Sequence, residues 1–430
     1  MSAVSKRRAL QGASLAALSA AFVQPAAAQD RGFVPDEILV TAQKREERAF
    51  DVPIPVVSYD KGFFDTAGIQ DIEELSEFVP GLNVQIQSAN NPSYVIRGIT
   101  SDDASTQQPP RVSVYYNGVD ISRARGSNFE VFDLDRVEVV KGPQATLFGT
   151  AALTGAISVI TAKPEKEFSA EAYAGYGADD YTKVGGFVTA GTDTVQGRLA
   201  GQYRRRDGYI ENLAPGEDDL QGFDVFALRP SFAFTPVDEL RVDVVFTYET
   251  HDSPGVGFKS GVIAPPGGDT SPFTPAYLSG AFDNATAGSG TAQNGLVRYD
   301  GVVTTPGGGF TTSLTPLPNG TVENQLRSNS IGLDRDVYDV SITTEWKIDD
   351  TWTLTGIFGY RDYENLETFD ADGSVVPLIE ISENSSGDQM TGELRFNIDN
   401  GSRLKSFFGF NAFVEDAERA LPQVVDEAIF

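Results

Sequence analysis

Side chains able to carry out enzyme or metal chemistry are almost missing from this chain. It has no cysteine, which excludes a disulfide framework and any thiolate metal site or nucleophile. A single histidine, His251, leaves histidine metal cages and Ser-His triads unavailable. No paired carboxylates, nucleophile elbow, phosphate loop or metal cluster emerges, and the Gly/Pro/Thr-rich stretch 252–320 reads as a loop. No catalytic residue, metal ligand or cofactor is therefore expected, and the chain is not expected to be an enzyme. With 61 acidic against 33 basic residues and a formal net charge of −28, nucleic acid is excluded as a partner, because a phosphate backbone needs clustered Lys and Arg. What stands out instead is charge set inside apolar runs, Arg97 in VIRGI and Arg136 with Glu138 in DRVEVV. The converse feature is the apolar patch Ile38-Leu39-Val40 inside a charged stretch.

The elements that would position these residues follow from composition and period. Lys6, Arg7 and Arg8 precede an apolar run from Ala9 to Val23 and then Pro25 and Ala26-Ala27-Ala28, the layout of a secretory signal cleaved after Ala28. About 15 apolar residues are too few for a spanning helix, and no later stretch is as apolar, so entry into a membrane would have to be by strands. Residues 29–50 read as a flexible arm with one strand-like segment, DEILVTAQKREER. Residues 51–164 are mixed α/β. Asp71-x-x-Glu74 opens a short amphipathic helix as a capping box, and Pro80-Gly81 ends it. Asn117-Gly118 marks a hairpin within VSVYYNGVDI. DRVEVVKGP is a strand running into Gly142-Pro143, with Gln144 to Phe148 as a short helix stopped by Gly149.

From 165 onward the period becomes two. Leu240, Val242, Val244, Phe246 and Tyr248 alternate with Arg241, Asp243, Val245, Thr247 and Glu249. Nine strands are expected near 168–177, 181–191, 195–206, 223–235, 240–249, 337–346, 351–360, 389–398 and 403–413. From the third strand onward the links alternate long and short: 207–222, 236–239, 250–336, 347–350, 361–388 and 399–402. A barrel with one trimmed and one decorated rim has that rhythm, whereas a soluble sandwich has no reason for it. Tyr176, Tyr181, Tyr248, Trp346, Trp352 and Tyr360, near strand ends, suit aromatic girdles.

Five segments then occur in a characteristic order: ELSEFVPGLNV, VIRGI, VSVYYNGVDI, FDLDRVEVVKGPQATLFGT and LTGAISVITAKP, preceded by DEILVTAQKREE. From Glu37 to Pro164 the chain resembles the TonB-dependent outer-membrane receptors. The resemblance implies an α+β plug domain followed by antiparallel transmembrane β-barrel strands, about nine of an expected 22. It implies residence in the outer membrane of a Gram-negative bacterium, contact with outer-membrane lipid, and coupling to TonB and its inner-membrane energising complex. The cargo it implies is a small chelate such as a ferric siderophore, or else a non-iron nutrient such as an oligosaccharide, an aromatic compound or cobalamin.

Carried over by position, Glu37, Ile38, Leu39, Val40, Thr41 and Ala42 would form the TonB box, an extended segment that adds to a partner's sheet edge. Arg97, Arg136 and Glu138 resemble plug charges that pair with acids of the barrel wall as latches, since a buried charge needs a partner. Gly98, Gly142 and Pro143 belong to the same motifs and would set backbone geometry. Lys141, Ala145, Thr154-Gly155 and Ser158 depart mildly from the family's usual residues, and one histidine disfavours haem capture. Nine strands in residues 165–430 are well short of a closed barrel, so a fragment or truncated product is expected, and the alternative to uptake is a truncated, non-transporting surface β-protein.

Overall fold

In the computed structural model, the structure describes residues 39–425 except 42–43, 46, 50, 87, 89, 101–109, 123–126, 149–151, 212–217, 258–290, 294–295, 299–302, 305–310, 313–330, 371–378, 402–404 and 422. A small hairpin comes first, β1 (Leu39–Val40) with β2 (Glu47–Arg48). The α+β part follows as β3 (Val56–Asp60), α1 (Lys61–Ala67), α2 (Ile72–Phe78), β4 (Leu82–Ile86), β5 (Pro92–Ile96), β6 (Ile99–Thr100), β7 (Val112–Tyr116), β8 (Val119–Asp120), β9 (Leu134–Lys141), α3 (Ala145–Phe148) and β10 (Gly155–Thr161). Strands β3-β9-β10-β7-β8 make one sheet, parallel only between β10 and β7, and β4-β5-β6 make a second. Between them lies a core that includes Ile72, Leu75, Val84, Ile96, Val114, Val137, Val139 and Ile157, all essentially inaccessible.

Local chemistry explains the boundaries. Asp71 caps α2 by accepting from Glu74 N–H at 2.8 Å, and the Glu74 carboxylate returns to Gln70 N–H at 2.7 Å, one residue outside the usual capping box. Asn117 and Gly118 both have positive φ, 50° and 84°, as the tight β7–β8 turn requires.

The remainder is one antiparallel meander: β11 (Ser169–Tyr176), β12 (Thr182–Gly191), β13 (Val195–Arg206), β14 (Phe223–Val237), β15 (Leu240–Ser253), β20 (Gly332–Lys347), β21 (Trp352–Asp370), β22 (Ile379–Asp399) and β23 (Lys405–Ala420). Short hairpins β16 (Thr291–Gln293) with β17 (Leu296–Arg298), and β18 (Val303–Thr304) with β19 (Thr311–Thr312), stand outside that sheet. A last strand, β24 (Gln423–Val425), pairs with the start of β22.

All nine expected strands are present, and the rhythm of long and short links holds. The correction is in length. The expected link 361–388 is mostly strand, because β21 runs on to Asp370 and β22 begins at Ile379. Beyond Tyr360 the residues are Arg361, Asp362, Tyr363, Glu364 and Asn365, polar on both faces, so hydropathy loses its period while backbone pairing continues.

The sheet is inverted relative to a soluble protein. On β14 the residues turned toward the α+β part are Val225, Ala227, Arg229, Ser231 and Ala233, all buried, while Phe232 and Phe234 on the opposite face are 52% and 47% exposed. Across the sheet the outward face also carries Leu199, Phe246, Tyr338, Phe358, Met390 and Leu394, and the inward face Arg204, Glu249, Arg335, Asp339 and Arg361. Apolar side chains outside and hydrogen-bonding ones inside suit a wall with hydrocarbon on one side. No helix among the described residues is long and apolar enough to cross a membrane. Tyr248 stacks on Tyr338 at 4.8 Å, and Trp352 meets Phe408 edge-on at the other end of the strands. Tyr181 departs from the expected girdle by turning inward, where its hydroxyl donates to Gln70.

Candidate functional site

Of the candidate coupling segment, Glu37, Ile38 and Ala42 lie outside the described residues. Leu39 and Val40 are already in a strand pair, with Leu39 opposite Arg48 and Val40 opposite Glu47. Val40 is fully buried with Val52 and Val140, beside Ala49, Ile54 and Val56. One residue on, Thr41 N–H donates to both carboxylate oxygens of Glu138 at 2.9 Å, and the Thr41 hydroxyl donates to Oε1 at 3.1 Å. Glu138 lies on β9 between β3 and β10, and its side chain is about 1% exposed. Arg136, two positions earlier and hence on the same face, donates through Nε to Glu138 Oε1 at 2.8 Å. The acid is thus given both a counter-charge and neutral donors, which is what keeps a buried carboxylate tolerable.

The hairpin turn then carries Lys44 to the long sheet. Its Nζ pairs with Glu393 of β22 at 3.2 Å and lies 4.7 Å and 5.2 Å from the ring centres of Tyr115 and Phe148. Burial is the largest influence on this ammonium and holds its pKa below the ordinary lysine value, against the pull of Glu393. Between Val40 and Lys44, therefore, the chain is fastened to an apolar pocket, to a buried acid and to the wall.

The residues expected to act as wall latches are arranged differently. Arg136 pairs with Asp135 and Glu138, so Arg136, Glu138 and Thr41 are brought together within the α+β part. Arg97 and Gly98, with φ of 53° and 80°, form the tight turn between β5 and β6. The Arg97 side chain is exposed, lies beside Gly81 and Gly142, and makes no ion pair among the described residues. Gly142, φ 115°, donates its N–H to Thr154 O at 2.8 Å, and Pro143 follows in the link to α3.

The contacts that do join the α+β part to the wall come from arginines on the wall. Five inward arginines on four strands converge on the segment Asn128–Asp133, just before β9. Arg198 holds the Asp133 carboxylate, with Nε at 2.9 Å, while its guanidinium stacks 3.6 Å from the Phe187 ring. Arg204 pairs with Glu130 at 2.7 Å. Arg229 donates to the carbonyls of Phe132 and Asp133 at 2.8 and 3.3 Å and to the Tyr116 hydroxyl. Arg335 and Arg361 each donate to the Asn128 carbonyl at 3.1 Å, and their own counter-ions are Glu249 at 2.6 Å and Asp339 at 2.9 Å. Glu249 in turn accepts from Glu130 N–H at 3.1 Å. Burial first, and then the like charge of Glu249, raise the Glu130 carboxyl above the ordinary value, opposed by Arg204. The sequence signal for this cluster was the recurrence of arginine at inward positions of strands whose other face is apolar.

A small α+β domain seated on the polar face of a long meander whose other face is apolar is the arrangement of a plug against the strands of a barrel wall. Residues 48–156 match a family model described as TonB-dependent Receptor Plug Domain. The chain therefore carries the plug domain of TonB-dependent receptors, followed by antiparallel strands of their barrel fold. Over 195 residues it is 29% identical to the vitamin B12 transporter BtuB of Photobacterium profundum, covering 44% of this chain and 31% of that protein. Over 194 residues it is 29% identical to the pesticin receptor of Yersinia pestis, covering 43% and 28%. The ferric yersiniabactin uptake receptor FyuA from Yersinia pestis has the same fold at TM-score 0.63 and 16% identity, over 86% of this chain and 50% of that one. The pyoverdine outer membrane receptor FpvA from Pseudomonas aeruginosa follows at TM-score 0.59 and 14% identity, over 90% and 49%. The chain spans about half the length of these solved structures and about a third of the curated relatives. These relatives are transporters and receptors by name, and an enzyme reading has no support among them.

Proposed function

We propose that this chain serves active, TonB-coupled uptake of a scarce small ligand across the outer membrane, with a ferric siderophore or similar iron chelate as cargo. The observation that carries it is the polar inner face of the meander with a plug domain seated on it, and with Leu39, Val40 and Thr41 of the candidate coupling segment held on that plug. In this reading residues 1–28 are removed on export, 29–50 form the arm, 51–164 the plug, and the strands from 165 onward the wall, set in outer-membrane lipid. Glu37 to Ala42 is the TonB box, adding as a strand to the C-terminal domain of TonB. Arg136 and Glu138 then act on the box, and the wall latch is the arginine cluster. The iron reading draws support from relatives named for pesticin, yersiniabactin and pyoverdine.

A second reading, uptake of a cobalamin-like or other non-iron nutrient, draws support from the relative named as a vitamin B12 transporter. Transcription induced by iron depletion separates the two. Coupling is tested by Leu39→Pro in the receptor gene that contains this chain. Proline removes a backbone donor from the box, so TonB binding and ligand-supported growth should both be lost. Unchanged growth on the cognate ligand would sink the coupling assignment.

A further inference from the structure

The plug is fastened to the wall very unequally along its circumference. On one flank, Asn128–Asp133 is held by Arg198, Arg204, Arg229, Arg335 and Arg361, all 8% exposed or less, through two carboxylates and three carbonyls. Opening the Arg198–Asp133 and Arg204–Glu130 pairs would strand buried charges, while Arg335 and Arg361 would give up a carbonyl and keep their own counter-ions on the wall. On the neighbouring flank, α1 reaches the wall through Lys61, whose Nζ lies 2.8 Å from Asp65 and 3.0 Å from Glu171 of β11, on side chains about 40% exposed or more. Gln70, just beyond α1, accepts from Tyr181. Water screens exposed pairs of this kind, and they cost little to break. Between the two flanks is a cavity of about 170 Å³, lined among others by Lys61, Asp65, Phe132, Glu171, Tyr173 and Lys183.

We propose that Asn128–Asp133 is the fixed anchor of the plug and that α1 is the flank that leaves the wall first, so that the cavity between them widens into the passage. The anchor keeps β9 in place through the chain that continues directly from Asp133 into Leu134, and with it the sheet that holds Glu138. Force arriving at the coupling segment is therefore spent on α1 and its neighbours, not on the clamp. The passage wall so formed carries both signs of charge with two aromatic rings, and suits a hydrophilic solute. This goes beyond the transport reading, and its first test needs neither ligand nor TonB.

Hydrogen exchange of the purified full chain in detergent, at rising sub-denaturing urea, measures the two flanks separately. Lys61–Ala67 should exchange at least tenfold faster than Phe129–Leu134 at each urea concentration. Arg229→Gln and Arg335→Gln should raise exchange over Phe129–Leu134 at least tenfold and leave α1 unchanged, and Lys61→Ala should do the reverse. Because the chain has no cysteine, Lys183→Cys reports on the cavity alone. Its labelling by a charged maleimide should accelerate with α1 exchange and ahead of clamp exchange. If both segments lose protection together in the unmodified chain, or the label waits for the clamp, the proposal is overturned. Should the arginine variants fail to fold, the comparison within the unmodified chain decides it. A failed Leu39→Pro test would remove the coupling reading and leave this measurement standing.

Discussion

Thr41 and Glu138 lie 97 positions apart and meet through three hydrogen bonds, two from the Thr41 N–H and one from its hydroxyl. The acid sits on β9, between β3 and β10 of the plug sheet, so the candidate coupling segment is tied directly to the buried interior of the plug. Bonds to a charged acceptor contribute about 1.5–3 kcal/mol each when formed out of water. Glu138→Ala should therefore release the β1–β2 hairpin and raise the rate of trypsin cleavage after Lys44 and Arg45 tenfold or more. Thr41→Val, which keeps the N–H, should have a smaller effect. Equal cleavage in Glu138→Ala and the unmodified chain would show that the contact does not hold the hairpin.

Lys44 predicts the opposite sign. Its ammonium is held by Glu393 but penalised chiefly by burial, and Glu393 keeps a second partner in Arg395. Lys44→Met removes the buried charge and retains the packing on Tyr115 and Phe148. Cleavage after Arg45 and Arg48 should then slow or stay level, while Glu393→Ala, which strands two cations, should accelerate it. Faster cleavage in Lys44→Met would show that the ion pair outweighs the burial cost.

On the wall itself, burial decides what an ion pair is worth. Arg361 and Asp339 are about 6% and 3% exposed at their side chains and 2.9 Å apart. Removing one partner of such a pair costs about 3–5 kcal/mol, because the other stays buried. Arg361→Ala should lower the urea midpoint accordingly, whereas Lys166→Ala, breaking an exposed pair with Asp193, should not move it. Equal shifts in the two variants would contradict this ranking.

The legible part of this fold was the part whose period is imposed by a two-sided environment. Leu240 to Tyr248 alternate because one face is apolar and turned outward and the other is polar and turned to the plug, and all nine long strands were visible for that reason. Alternation of hydropathy ends at Tyr360 although pairing does not, and the strand ends were lost there. Tyr181 was misplaced because a tyrosine at a strand end suits a girdle and an inward hydrogen bond equally well. Glu138 was visible as a buried charge, but its partner was not, since nothing local links it to Thr41. The arginines of the clamp recur at inward strand positions, but their partners in Asn128–Asp133 are distant in sequence and no local pattern links the two.

Glu130 gives the clamp a pH dependence whose sign is defined. Its folded pKa is raised above the ordinary 4.5, first by burial. A raised carboxyl contributes stability that is fully present below its unfolded pKa and is lost as pH rises through the folded one. Relative to Glu130→Gln, the unmodified chain should therefore gain urea resistance on acidification from neutral toward about pH 4.5. A difference between the two proteins that stays constant with pH would mean that Arg204 keeps Glu130 ionised throughout.

The outward face distinguishes a membrane wall from a soluble sheet. Phe232 is 52% exposed at the middle of β14, on the opposite face from Arg229 and Ser231. In water, Phe232→Arg would be neutral or favourable, since it replaces an exposed ring by a charge. In hydrocarbon, arginine at the bilayer midplane costs about 2–4 kcal/mol. The variant should lower insertion into lipid vesicles while leaving solubility in urea unchanged, and Ser231→Arg, on the plug side, should instead disrupt the clamp by crowding Arg229. Normal insertion of Phe232→Arg would mean that this face does not meet lipid.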